Sequence, residues 1–340
     1  MTSERLRMGV IGVGFMGSLH ARVWSQLPNT RLVAVADPDA EAGKGLADDL
    51  GADYYREPAS LLERDDIDAV SIASPDRLHV ESATAAARAG KHILLEKPMA
   101  HDAKGAEAIA RAVEETGVRL MVAHVLRFDP RYVQLQAAAH PDRLGEPIHL
   151  RAKRNTIRTL AERIGADSSI LCQLGVHDID AMQWVSRSPI IRVYAQTVSK
   201  LSNGNEDALY AVVNFANGAI GTLDYSWAWP EGLPAGYHAA FEVIGTRSAA
   251  LLDVRDQGFQ VITAEGSTAA DTHLWPEING RITGDLRDEL MHFTEAIQTS
   301  APFVQDYREA LAAVRVLDAL FASLEEDRPV AVATGFGVEP

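Results

Sequence analysis

Met8-Gly-Val-Ile-Gly-Val-Gly-Phe-Met-Gly-Ser18 decides how the rest of the chain is read. Met8 to Ile11 is a short apolar run of the kind that forms a buried strand. Gly12, Gly14 and Gly17 then make a G-x-G-x-x-G turn opening into a helix. Gly12 permits a tight turn, Gly14 lacks the Cβ that would hold a pyrophosphate off the backbone, and Gly17 lets helix and strand pack closely. Phe15 and Met16 complete the cradle, where the helix start offers free N–H groups and a partial positive charge to an anion. Glycines also serve ordinary turns, so the pattern needs a second strand ending in an acid about 20 residues on. Arg31-Leu-Val-Ala-Val-Ala36 is that strand and Asp37 that acid. Asp37 accepts hydrogen bonds from ribose hydroxyls and repels a 2′-phosphate. No arginine stands beside it, so the expected cofactor is NAD, with NADP second. Asp37 is also a suitable N-cap for a helix from Ala40 onward.

The chain has 340 residues, long for one core, so two domains are expected. Hydrophobic residues make up 47% and charged residues 23%, an ordinary globular balance that speaks against disorder. A net charge of −15 repels polyanions and argues against nucleic acid as a partner. The single cysteine, Cys172, excludes an internal disulfide framework, and no apolar run reaches about 18 residues, so no membrane partner is expected. Met1 to Arg7 shows no apolar signal segment; a cytoplasmic location is the expectation.

Strand and helix patterns alternate from the glycine turn to about Val125, which predicts βαβ units on a parallel, doubly wound sheet of the Rossmann type. Ligands of such sheets lie beyond the carboxyl ends of the strands, where Ser74-Pro75 and Glu96-Lys97-Pro98 fall. A lysine there is placed to hold a substrate hydroxyl and relay its proton. Beyond Ile190, strand patterns follow one another with turns between them and no helices. They predict an antiparallel sheet, one face covered and the other suited to an oligomer contact. The expected division is residues 1–124 for NAD and 125–340 for substrate and oligomerisation.

Gly12-x-Gly14-x-x-Gly17, Ser74-Pro75 followed by His79, Glu96-Lys97-Pro98, Arg127-Phe128-x-Pro130 and Gly175-Val-His177-Asp-Ile-Asp180 together resemble the glucose–fructose oxidoreductase, inositol dehydrogenase and rhizopine-catabolism family, Gfo/Idh/MocA. The resemblance implies an N-terminal Rossmann domain followed by an α/β domain on a large, open, mainly antiparallel sheet, and hydride transfer between NAD and a carbinol of a cyclic, inositol-like polyol or sugar, in a homodimer or homotetramer joined through the C-terminal sheet. It implies Lys97 and His177 as catalytic residues. Arg127, Arg154, Asn155, Gln173 and Tyr237 become candidate substrate contacts. Ser74, Pro75, His79, Glu96 and Lys97 join the glycine turn and Asp37 around the cofactor, and no metal is implied. The family pattern has Asp four residues before the histidine, where this chain has Gln173. On a helix Gln173 and His177 share a face, but an amide carries no charge to raise the histidine pKa or act as a base. That substitution motivates the alternative of a catalytically weak NAD-binding sensor on the same fold.

Overall fold

The structure is a computed structural model that describes residues 5–164, 168–201, 206–255, 261–263, 266–268 and 271–333. Its contacts divide the chain into two compact units, Met1–Phe128 with His273–Leu311, and Asp129–Thr272 with Ala312–Pro340.

The first unit begins with β1 (Leu6–Ile11), α1 (Phe15–Gln26), β2 (Thr30–Ala36), α2 (Ala40–Leu50), β3 (Asp53–Tyr55) and α3 (Pro58–Leu62). It continues through β4 (Ala69–Ile72), α4 (His79–Arg88), β5 (His92–Glu96), α5 (Ala103–Thr116) and β6 (Leu120–Ala123). The strands form one sheet in the order β3-β2-β1-β4-β5-β6, every neighbouring pair parallel. This is the doubly wound order expected of a dinucleotide fold, in which the strand order reverses beside β1. The central strands are covered on both faces, which is why β4 reads as an unbroken buried run. Local chemistry sets the helix ends: Asp39 caps α2 and Asp102 caps α5, while Gly51 and Gly117 close them in the left-handed conformation.

The second unit holds α6 (Pro130–Ala138), α7 (Pro141–Leu144), β7 (Pro147–Ile157), α8 (Arg158–Ile164), α9 (Val176–Ser186), β8 (Ile190–Val198), β9 (Ala208–Phe215), β10 (Ile220–Trp229), β11 (Tyr237–Gly245) and β12 (Ala249–Asp253). Short strands β13 (Val261–Thr263) and β14 (Gly266–Thr268) pair as a hairpin. The expected strand over 257–263 lies partly outside the described residues. The large sheet runs β12-β11-β7-β10-β9-β8 and ends on β17 (Val330–Ala331). Its pairs are antiparallel except β7 with β10, which run parallel, so the sheet is mixed and mainly antiparallel. Burial alternates residue by residue along β9: Leu209, Ala211 and Val213 are buried, whereas Tyr210 and Val212 face outward.

A short hairpin, β15 (Glu277–Ile278) with β16 (Arg281–Ile282), leads into α10 (Asp285–Thr299), and α11 (Tyr307–Glu326) follows. Leu286, Leu290 and Phe293 of α10 are fully buried in the same core as Met8, Val10 and Trp24, and the Trp24 and Phe293 rings meet edge to face at 6.2 Å. Burying side chains of this size contributes roughly 1.5–3 kcal/mol each, enough to hold the segment to the first unit. A single cut after residue 124 therefore does not describe the packing, because residues 273–311 return to the N-terminal core.

Candidate active site

The glycine turn sits at the carboxyl ends of β1 and β4. Gly12 donates its N–H to Ala36 O, and Ala73 donates to Ile11 O, each at 2.8 Å. Gly12 has φ +84°, and a Cβ there would strike the Ala73–Ser74 backbone. At Gly17 a Cβ would overlap the Gly12 carbonyl oxygen. Both positions demand glycine for packing within the protein. Gly14 is different: a Cβ built there meets nothing within 4 Å. Its glycine answers to no neighbour in the chain, which is the expected signature of space kept for a pyrophosphate at the start of α1.

Asp37 completes the cradle. Its carboxylate accepts the N–H groups of Val13 at 2.7 Å and Asp39 at 2.8 Å, and its carbonyl accepts the Tyr54 hydroxyl. The capping of α2 falls to Asp39, which accepts from Glu41 and Ala42. Asp37 is thus not the N-cap. It ties the glycine turn to the end of β2 and retains further lone pairs able to accept hydrogen bonds. Phe15 is exposed at the head of α1 with its ring edge on Trp275, 5.8 Å away, while Met16 packs on the core. Ser74 contributes a buried Oγ with no hydrogen-bond partner among the described residues, beside exposed Pro75. The open space at Gly14, the acid and the unpartnered hydroxyl all fit NAD.

His79, expected at the cofactor, is buried and engaged on both sides of its ring, with Nε2 2.9 Å from Ser74 O and Nδ1 2.8 Å from Pro98 O. It thereby joins the turn after β4 to the turn after β5. Burial holds it below the usual histidine range against the pull of these carbonyls and of Glu96 and Asp76. Glu96 ends β5. Burial alone would raise its pKa, but the His20 ring, assisted by Lys97, brings it below the ordinary value, so the carboxylate is ionised. Its Oε2 accepts the Lys97 N–H at 3.1 Å. Lys97 is half-buried and precedes a cis peptide to Pro98.

Both candidate arginines have internal partners. Arg127 is paired with Glu309 at 2.5 Å and donates to Val304 O. Arg154 forms a fork with Asp178, at 2.8 and 3.0 Å, and donates to the Tyr132 hydroxyl. Burial works against the charge on Arg154, but the Asp178 carboxylate outweighs it and raises the arginine pKa; Asp178 is itself pushed up by burial and held back by Arg154. Asp178 is hidden in the sequence because its partner is 24 residues away on a strand.

Strand alternation separates Arg154 from Asn155. Register pairs Arg154 with Tyr225 and Ala239, on the buried face that also receives Tyr237, whereas Asn155 stands opposite Ser226 and His238 on the other face. Asn155 Oδ1 and the Tyr237 hydroxyl are each buried without a partner among the described residues. Gln173 does not lie on the α-helix with His177. Residues Leu171–Gly175 form a π-turn closed by Val176 N–H to Leu171 O, and α9 starts only after it. Such widened turns concentrate at functional sites, and four-residue spacing across one is not the same-face relation of an α-helix. Gln173 donates to Ser168 Oγ at 3.0 Å.

Residues 6–124 match the profile of an oxidoreductase family with an NAD-binding Rossmann fold, and residues 132–250 match the Gfo/Idh/MocA C-terminal domain. The chain belongs to the Gfo/Idh/MocA family. It is an NAD-binding oxidoreductase. Among its relatives is inositol 2-dehydrogenase of Rubrobacter xylanophilus, 29% identical over 98% of this chain and 94% of that protein. The NAD(+)-dependent scyllo-inositol 2-dehydrogenase of Bacillus subtilis is also 29% identical, over 89% of this chain and 90% of its own. GenD2 from gentamicin A biosynthesis, solved in complex with NAD, superposes with a TM-score of 0.83 at 26% identity over 98% of both chains. Among the described residues no helix is long and apolar enough to cross a membrane.

Proposed function

We propose that the protein is an NAD-dependent dehydrogenase of cyclic polyols, with an inositol as the substrate class and Lys97 as the group that handles the reacting hydroxyl. The observation that carries this reading is the placement of Lys97 at the carboxyl end of β5, on a sheet whose glycine turn and Asp37 are formed for NAD. The names of the curated relatives supply the substrate class.

NAD, when bound, supplies the hydride acceptor. Gly12, Gly14, Gly17, Asp37 and Ser74 hold it. Lys97 hydrogen-bonds the reacting hydroxyl, takes its proton together with His177, and stabilises the developing alkoxide charge. Gln173 replaces the family's carboxylate, so the proton work falls to the lysine and the histidine alone. Asn155 and Tyr237 each bring a buried oxygen that has no partner among the described residues, as groups awaiting ligand hydroxyls do. They leave opposite faces of the sheet, so a substrate touching both must lie over its end. Arg127 and Arg154 are each already paired within their own unit.

The outward face of the large sheet, with Tyr210, Val212 and Ile220 exposed beside Arg151, Asp224 and Glu242, suits a second copy of the chain in a cytoplasmic homodimer or homotetramer. Incubating the protein with NAD and a panel of inositols and sugars, and following reduced nicotinamide by absorbance, tests the activity. Lys97→Ala should lose about 100- to 10,000-fold in turnover. Full turnover by this variant would sink the assignment.

A further inference from the structure

A continuous buried chain of side chains in the first unit ends at the residue before Lys97. The Trp24 indole N–H donates to Ser71 Oγ at 2.9 Å, and Ser71 Oγ lies 3.2 Å from His20 Nδ1. His20 Nε2 lies 3.2 Å from Glu96 Oε1, an ion-pair distance without straight hydrogen-bond alignment. Glu96 Oε2 accepts the Lys97 backbone N–H. Trp24, His20 and Ser71 are fully buried, and Glu96 is 8% exposed.

The donors settle the direction of this chain. An indole nitrogen only donates, so Ser71 receives that proton and keeps its own to give. His20 Nδ1 is the ring nitrogen within reach of it; because the Glu96 carboxylate on the other side only accepts, the imidazole proton belongs on Nε2, facing Glu96, and Nδ1 accepts from Ser71. Four polar side chains in an apolar core are costly unless each is satisfied, and a leucine in place of His20 would fill the space at less cost. The polar line instead runs to the end of β5. A second acid marks what His20 does there. Glu289 is fully buried with neither carboxyl oxygen partnered among the described residues, and burial with the nearby charges of Glu96 and Asp285 pushes it well above the usual carboxylate range. Of these two buried glutamates, the one facing His20 is held below the ordinary carboxylate value and the other is pushed above it.

We infer that His20 is a positioning residue for Lys97: oriented by Ser71 and Trp24 as its Nε2–H tautomer, it anchors Glu96, and Glu96 fixes the lysine backbone. This rests on the role proposed for Lys97 above.

The test is a double-mutant cycle on the inositol that the wild type oxidises, with saturating NAD, using His20→Leu, Lys97→Ala and the pair. His20→Leu should lower kcat by about ten- to a hundredfold, since small misplacements of a reacting group cost this much, while leaving the Kd for NAD within about twofold. In the Lys97→Ala background the same change should cost nothing further. A full additional loss there would make His20 merely structural and overturn the inference, as would unchanged kcat in the single variant. If Lys97→Ala alone keeps full turnover, the proposed function fails instead, and no turnover by the wild type on any polyol overturns both. Nitrogen-15 NMR of histidine-labelled wild-type protein reads the tautomer even where a variant does not fold. A proton on Nε2 and none on Nδ1 is expected; the reverse assignment refutes the chain.

Discussion

Gly14→Ala and Gly17→Ala make the same chemical change three residues apart and should have opposite consequences. At Gly14 the backbone has φ −60° and ψ −158°, an extended conformation open to residues with a Cβ, and the added methyl meets no protein atom within 4 Å. Removing a glycine lowers unfolded-state entropy and stabilises by about 0.4–1 kcal/mol, whereas alanine is a poorer N-cap by up to about 1 kcal/mol, so the net effect on folding is near zero. Binding should suffer instead. The methyl occupies the approach of the pyrophosphate to the helix start, and each hydrogen bond to a charged acceptor lost there costs about 1.5–3 kcal/mol, or roughly ten- to a hundredfold in the Kd for NAD. At Gly17 the methyl collides with the Gly12 carbonyl oxygen, a backbone atom that cannot swing aside. Overpacking of that kind costs about 3 kcal/mol or more and should lower the melting temperature by roughly 6–12 °C. Calorimetric NAD titration and thermal melts of both variants give the comparison. A Gly14→Ala protein that binds NAD like the wild type would refute the idea that the empty space there belongs to the cofactor.

Two further outcomes follow from buried charge. Asp178→Ala strands the Arg154 guanidinium, which should cost roughly 3–5 kcal/mol in denaturant unfolding, and Asp178→Ala with Arg154→Leu should recover much of it; a single variant as stable as wild type would contradict the pairing. Glu289 has its folded-state pKa raised, so the unfolded chain gives up this proton first and stability is lost as pH climbs above about 4.3, by up to about 1.4 kcal/mol per pH unit until the native carboxyl ionises. Glu289→Gln, which keeps the neutral shape, should therefore gain melting temperature over wild type progressively from pH 5 to pH 8, and a constant difference would show that Glu289 is not protonated in the native protein.

Much of the first unit was legible because its information is local. A glycine turn, the acid closing the next strand and the period of each helix depend on neighbours within a few residues, and so the NAD cofactor and the parallel sheet could be read directly. The sheet of the second unit was legible as a run of strands for the same reason. What tertiary structure alone decided concerns partners far apart in the chain. It drew the Asp37 carboxylate to Val13 and left the cap of α2 to Asp39, sent Arg154 and Asn155 to opposite faces, placed Gln173 in a π-turn ahead of the helix that carries His177, and returned α10 to the N-terminal core. One signal for the His20 chain did stand in the sequence: Gly17, His20, Ala21 and Trp24 fall at i, i+3, i+4 and i+7 of α1, a histidine inside a buried stripe. Its periodicity announces burial. Which serine and which glutamate satisfy it, 51 and 76 residues on, is written in no local pattern, because hydrogen-bond partners across a sheet follow from strand order and register, which only the assembled fold fixes.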